Sequence, residues 1–283
     1  MTDYYKYCEG GVQCNETYVQ VEENVRLRVL SFIPSYENKN VPVLIIGGLS
    51  TIVDSFGDVI RELSRVFPVY FIETRDRPTS KISGKVRFDI EIMAQDIIQI
   101  VNFLEIPDRK YAFVGYSFGA SIVAQSFTEL SSKPRCIIFM EPTPEFHYPA
   151  WGLFLIRWLG GWLYKILKPF AKWYLRHFYI NTVEDNEMAL ISGKSLDNAD
   201  PYKLRQSILA IAPYKVWSSL KQVSCPCLVV GTSKDRLHVP EDINKMVDTL
   251  GSCKYVDMET NLRTHSIEMG QLICSYINSC GDN

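Results

Sequence analysis

The chain has 283 residues, 47% of them hydrophobic and 22% charged. That composition excludes a disordered or collagen-like protein and suits one α/β domain carrying an insertion. With 30 basic against 32 acidic residues the net charge is −2, which excludes a general attraction to nucleic acid or anionic membrane and leaves only local contacts of that kind.

The opening residues Met1-Thr2-Asp3-Tyr4-Tyr5-Lys6-Tyr7-Cys8 lack the basic-then-apolar run of a secretory signal, so a cytoplasmic location is expected. In that compartment the eight cysteines are expected to be reduced thiols. Cys225-Pro226-Cys227 has the wrong spacing for a redox pair and is not a zinc pattern by itself.

Taken in chain order, Thr17 to Val21 and Val25 to Phe32 alternate in polarity and read as an antiparallel strand pair with one solvated face. Val41 to Ile46 is a continuous apolar run, as a strand buried on both faces requires, and it ends in Gly47-Gly48. A helix from Ser55 to Val66 and a strand from Val69 to Glu73 follow. Between Asp89 and Leu104, apolar residues recur at helical spacing and mark a helix with one stripe on the sheet. Strand Tyr111 to Val114 precedes a helix from Ala120 to Leu130, and Cys136 to Met140 is the next strand. The later elements are a strand at Cys227 to Val230, a helix at Pro240 to Leu250, a strand at Lys254 to Met258 and a helix at Ile267 to Ile277. Strand-helix alternation argues for a mostly parallel sheet covered by helices. It stops between Glu141 and Val223. The expected domains are therefore a core of residues 1–143 and 222–283 and a helical cap of residues 144–221.

Gly115-Tyr116-Ser117-Phe118-Gly119 lies between a strand and a helix. A serine hydroxyl is a poor nucleophile until a base takes its proton, so the chemistry needs a serine held clear of the sheet and a histidine to activate it. A Gly-x-Ser-x-Gly turn does the first, because its flanking glycines remove side chains that would clash in the strained turn.

Through this turn and its flanking elements, the chain resembles the α/β-hydrolase superfamily from its first strands to its last helix. The resemblance implies a mostly parallel central sheet with helices on both faces, an inserted helical cap, and a triad in the order nucleophile, acid, histidine. The segment Leu228-Val229-Val230-Gly231-Thr232-Ser233-Lys234-Asp235 is similar to the family's late strand and acid turn, and Arg263-Thr264-His265-Ser266 to its histidine loop. By resemblance the triad is Ser117, Asp235 and His265. His147, His177 and His238 compete for the histidine role. Glu141, directly after the strand ending at Met140, is an alternative acid. The oxyanion donors implied are the backbone amides of Phe118 and of Leu49, in a loop where Gly47 replaces the family's frequent histidine. A serine nucleophile sets the chain apart from relatives that use aspartate, the haloalkane dehalogenases and epoxide hydrolases.

Four of the five tryptophans fall between Trp151 and Trp173. There Trp151, Leu155, Trp158, Trp162 and Ile166 share one helical face, while Arg157, Lys165, Lys168, Lys172 and Arg176 fall near another. Three readings stand: an apolar face packed on the core, a lid over a lipophilic acyl pocket, or an interfacial helix within residues 151–179 touching membrane. The expected activity is that of a serine esterase or thioesterase on a lipophilic acyl substrate. An acyltransferase, a carbon-carbon bond hydrolase and a non-catalytic binding protein are the alternatives. No metal or organic cofactor is implied, and no nucleic-acid partner.

Overall fold

The computed structural model describes residues 4–35, 40–158, 168–169, 173, 193–234 and 240–281. The strands are β1 (Gln13–Glu22), β2 (Val25–Ile33), β3 (Val43–Ile46), β4 (Val69–Ile72), β5 (Lys81–Ile82), β6 (Ala112–Tyr116), β7 (Cys136–Met140), β8 (Cys227–Gly231) and β9 (Cys253–Asp257). They form one sheet in the order β1-β2-β4-β3-β6-β7-β8-β9, with β5 beside β2. β1, β4 and β5 each pair with β2 antiparallel. From β4 to β9 every pairing is parallel, so the carboxyl ends of six strands share one edge.

Side-chain alternation divides the core between the two faces of this sheet. On β3, Val43 and Ile45 join Val59, Ile60 and Leu63 of α1 (Gly57–Leu63) and Met269, Ile273 and Ile277 of α9 (Ile267–Ser279). Leu44 and Ile46 point the other way, into a cluster with Met93, Ile97 and Ile100 of α2 (Ile90–Phe103) and Ile122 and Val123 of α3 (Phe118–Phe127). With both faces covered, β3, β7 and β8 are buried along their whole length, which is why they read as unbroken apolar runs. β1 does not show the expected single solvated face: its two buried residues, Cys14 and Val19, are five apart and join the clusters on opposite faces, because this strand is at the sheet edge and most of both its faces are open.

The described segments between β7 and β8 include α4 (Ala150–Trp158), α5 (Pro201–Ile211) and the single turn α6 (Trp217–Leu220). α5 starts where Asp200 accepts hydrogen bonds from the Tyr202 and Lys203 amides, with Pro201 in the first helical position. α7 (Pro240–Thr249) and α8 (Asn261–Thr264) complete the helices used below.

Element boundaries follow the sequence pattern closely, with two kinds of difference. β1 starts at Gln13, four residues early, because its polar residues still pair with β2. The 3-10 turn Tyr4–Tyr7, β5, α6 and α8 are too short to show a period. Of the three readings of the aromatic stripe, packing on the core is not what α4 shows. None of its residues is buried, and Trp151, Phe154 and Trp158 are 70%, 62% and 72% exposed. Trp162 and Ile166 lie outside the described residues. All eight cysteines are free thiols. No helix among the described residues is long and apolar enough to cross a membrane.

Candidate active site

Ser117 occupies the junction of β6 and α3 with φ 50° and ψ −113°. A non-glycine residue in that region carries roughly 1–3 kcal/mol of strain and persists only where its surroundings enforce it. Here they do. The Ser117 amide donates to the Met140 carbonyl at 2.9 Å, and the helix entering at Phe118 presses on the end of β3. A Cβ on Gly119 would stand 2.2 Å from the Ile46 carbonyl oxygen, a backbone contact that nothing but glycine allows. The loop after β3 is equally close, since a Cβ on Gly48 would stand 3.3 Å from that of Ser117.

That loop, Gly47-Gly48-Leu49-Ser50-Thr51, has its own supports. The Thr51 amide donates to the Gly48 carbonyl at 3.0 Å, and the Ser50 amide to the buried Asp76 carboxylate at 2.6 Å, with Ser50 at φ 56°. Asp76 also accepts from the Thr74 hydroxyl. Two of the loop's amides are thereby committed to holding its shape, and neither bond uses the Leu49 amide.

The Ser117 hydroxyl lies 3.1 Å from the hydroxyl of Thr143. Thr143 is fixed in turn, its carbonyl accepting from the Ser121 hydroxyl at 2.7 Å. His265 closes α8, with its ring edge-on to Tyr116 (centroids 4.8 Å apart) and to Phe56 (5.1 Å). It therefore stands against the residue that precedes Ser117. The expected hydrogen bond between Ser117 and His265 is not among those of the described residues, because this aromatic pair holds the imidazole beside Tyr116 while Thr143 takes the serine hydroxyl. Burial pushes the His265 pKa down to about 4, against a smaller opposing effect of the Ser55 backbone. The ring is neutral at neutral pH, as a general base must be before it acts. Its Nδ1 is enclosed and has no partner among the described residues.

Glu141 is fully buried with φ 42°. Its carboxylate accepts from Asn261 Nδ2 at 2.7 and 2.9 Å and from the Thr264 hydroxyl. Asn261 Nδ2 also reaches the Tyr116 hydroxyl at 3.1 Å. Glu141 thus grips both ends of α8, the turn that delivers His265, and the Nδ1 of the ring is not its partner. Asp235 and His238 lie in residues 235–239, outside the described residues, as does His177. The chain leading to Asp235 is anchored: Ser233 N–H donates to Asp257 at 3.0 Å and Lys234 N–H to the Glu259 carbonyl at 2.8 Å. His147 is exposed and 2.8 Å from Asp242, engaged away from this cluster.

Sequence reasoning missed Thr143, Asn261, Thr264 and Asp76. Their roles depend on loops meeting in space. The one signal available was Glu73-Thr74-Arg75-Asp76-Arg77, four charges directly after an apolar strand.

No protein-family model matches this sequence, and no curated protein matches it. Solved structures do. A hydrolase from Pseudomonas aeruginosa PA01 superposes with a TM-score of 0.75 at 14% identity over 97% of this chain and 100% of that one. The enol-lactonase from Burkholderia xenovorans LB400 has a TM-score of 0.75 at 15% identity, covering 93% and 99%. An esterase from Exiguobacterium antarcticum gives 0.75 at 15%, covering 93% and 100%. The chain has the α/β-hydrolase fold.

Proposed function

We propose that the protein is a serine hydrolase that cleaves a carboxylic ester or thioester through an acyl-enzyme on Ser117. The observation that supports this reading is the strained backbone of Ser117, held by its neighbours at the helix entrance, the turn a serine nucleophile needs to stand clear of the sheet. In this reading His265 takes the hydroxyl proton as Oγ attacks the carbonyl carbon. The amides of Phe118 and Leu49 receive the oxyanion, and the leaving group departs with the proton from His265. Water then repeats the sequence on the acyl-enzyme. Asp235 is the carboxylate assigned to the unpartnered Nδ1 of His265. In this reading the serine hydroxyl exchanges Thr143 for His265 when substrate binds, as catalytic hydrogen bonds commonly form or tighten at that step.

Residues 144–221 are assigned as the cap over this site. The outward aromatic residues of α4 support a lipophilic or membrane-surface encounter for the substrate, because exposed aromatics at that density are rarely idle. The bond between Ser117 and Thr143 favours one second reading, a non-catalytic binding protein. A fluorophosphonate probe separates the two. Labelling of the folded protein, lost in Ser117→Ala, supports the hydrolase, and folded protein that never labels supports the binder. Screening p-nitrophenyl esters beside acyl-CoA thioesters then identifies the leaving group.

A further inference from the structure

Arg77 lies five residues beyond β4 and is 4% exposed. Its Nε and Nη1 are enclosed and have no hydrogen-bond acceptor among the described residues. A guanidinium stays charged at every physiological pH, and a buried charge without a partner is among the least favourable arrangements a protein can hold. Nearby carboxylates do not relieve it. Glu73 is held by Arg28 and Thr79, Asp76 by Ser50 and Thr74, and Asp200 caps α5. Arg75, two residues earlier and as deeply buried, shows what a structural arginine has here: Asp96 on Nε and Nη2 at 2.6 and 2.8 Å, Glu22 at 2.7 Å and the Arg87 carbonyl at 3.0 Å.

The position of Arg77 suggests what completes it. The loop after β4 opens on the same edge of the sheet as Ser117, the crevice where open α/β sheets take ligands. Ile72, Ile46 and Gly115 stand side by side on β4, β3 and β6, so the departing chains of β4 and β6 are two strand spacings apart, about 10 Å. Asp76, next in sequence, holds the loop that carries Leu49. Above, α5 is fastened down by Lys203, whose ammonium donates to the Arg77 carbonyl at 2.9 Å, the Ser80 carbonyl at 2.7 Å and the Ser80 hydroxyl at 2.9 Å. Enclosed polar atoms without partners recur in the other loops on this edge, as Ser50 Oγ, Thr232 Oγ1 and His265 Nδ1. Such groups in a native fold call for a reason, and a polar ligand is one.

We infer that Arg77 docks an acidic substituent, a carboxylate or a phosphate, on the ester that Ser117 cleaves. The substrate is then an acid-bearing ester whose oxyanion group completes the Arg77 hydrogen bonds while its acyl carbonyl reaches Ser117. This rests on the serine-hydrolase reading.

The test uses mono-p-nitrophenyl esters of straight-chain dicarboxylic acids, their methyl-capped neutral counterparts and a phosphate-capped series. kcat/KM is measured for the wild type, Arg77→Met and Arg77→Lys. The wild type should favour one acidic series over the neutral one at least tenfold. That ratio should fall at least tenfold in Arg77→Met, mainly through KM, and less in Arg77→Lys. A ratio is independent of how much variant folds. Preference between the carboxylate and phosphate arms identifies the group. A wild type that prefers neutral esters, or a ratio unchanged in Arg77→Met, overturns the inference. A second measurement needs no turnover: calorimetric titration of Ser117→Ala protein with glutarate and with inorganic phosphate. Binding that disappears in Ser117→Ala/Arg77→Met supports the site, and no binding of either anion overturns it. If no ester is cleaved and no fluorophosphonate labels, the hydrolase reading fails, and the titration still decides whether Arg77 holds an anion.

Discussion

The interior of the sheet and its carboxyl edge obey different rules. Inside, β3, β7 and β8 are buried from end to end, and the helices on the two faces divide their side chains between two apolar clusters. At the edge, Ser50, Ser117 and Glu141 adopt positive φ, and Ser50, Arg77, Thr232 and His265 enclose polar atoms that no group among the described residues satisfies. Arg75 and Arg77 show the contrast two residues apart, one fully paired and one not. Stability is made in the interior, and the edge holds the strain and unmet polarity that a ligand or a reaction can use.

The largest effect expected is at Ser117, the proposed nucleophile. Ser117→Ala should lower ester turnover by a factor of about 10³ or more and abolish fluorophosphonate labelling. Asp235→Asn should reduce kcat by a similar order, about 10⁴, if its carboxylate orients the imidazole. Near-normal turnover in that variant would remove Asp235 from the triad.

The two arginines give the sharpest test of the contrast itself. Arg75→Met leaves Asp96 buried without its partner, so urea unfolding should show a loss of about 3–5 kcal/mol. Arg77→Met removes a buried charge that has no partner and should be neutral or stabilising. Equal destabilisation by the two would mean that the edge is built like the interior, and the distinction would collapse.

How much of this was legible in the sequence follows from the same division. β3 and β7 were readable because burial on both faces forces an unbroken apolar run, and Ser117 because a strained turn forces glycine at 119. The place of His265 between the last strand and the last helix was legible. Its partners were not, since Phe56 and Tyr116 meet it through loops from distant parts of the chain. Thr143 was hidden for the same reason: one threonine after a strand resembles any other until the Ser117 turn folds against it. Which face of α4 meets the core stayed open among three readings, because amphipathic spacing records that a helix has two faces and not which one meets the core.

His265 links the contrast to pH. Its folded pKa, lowered from 6.5 to about 4, favours the neutral ring. The associated stability is therefore present in full above 6.5, declines as the unfolded chain takes up a proton below 6.5, and is gone below about 4. At about 1.4 kcal/mol per unit the loss is about 3 kcal/mol for this one group. Denaturation at successive pH values should show that slope in the wild type and a shallower one in His265→Phe. An identical slope would mean that the ring is not buried neutral.

The smallest effect expected is at Glu141, and it separates a positioning residue from the triad acid. Glu141→Gln keeps the shape and one acceptor oxygen but sets an amide donor against Asn261 Nδ2, so one hydrogen bond at the root of α8 is lost, worth about 1 kcal/mol. His265 would then be delivered slightly less accurately. The expected result is a loss of less than tenfold in kcat with KM little changed. The acid limb of the pH–rate profile should keep its position, because a positioning residue does not alter which group loses the proton. A fall of 10³-fold or more, with Asp235→Asn nearly harmless, would transfer the triad carboxylate to Glu141 and require the Nδ1 of His265 to turn towards β7.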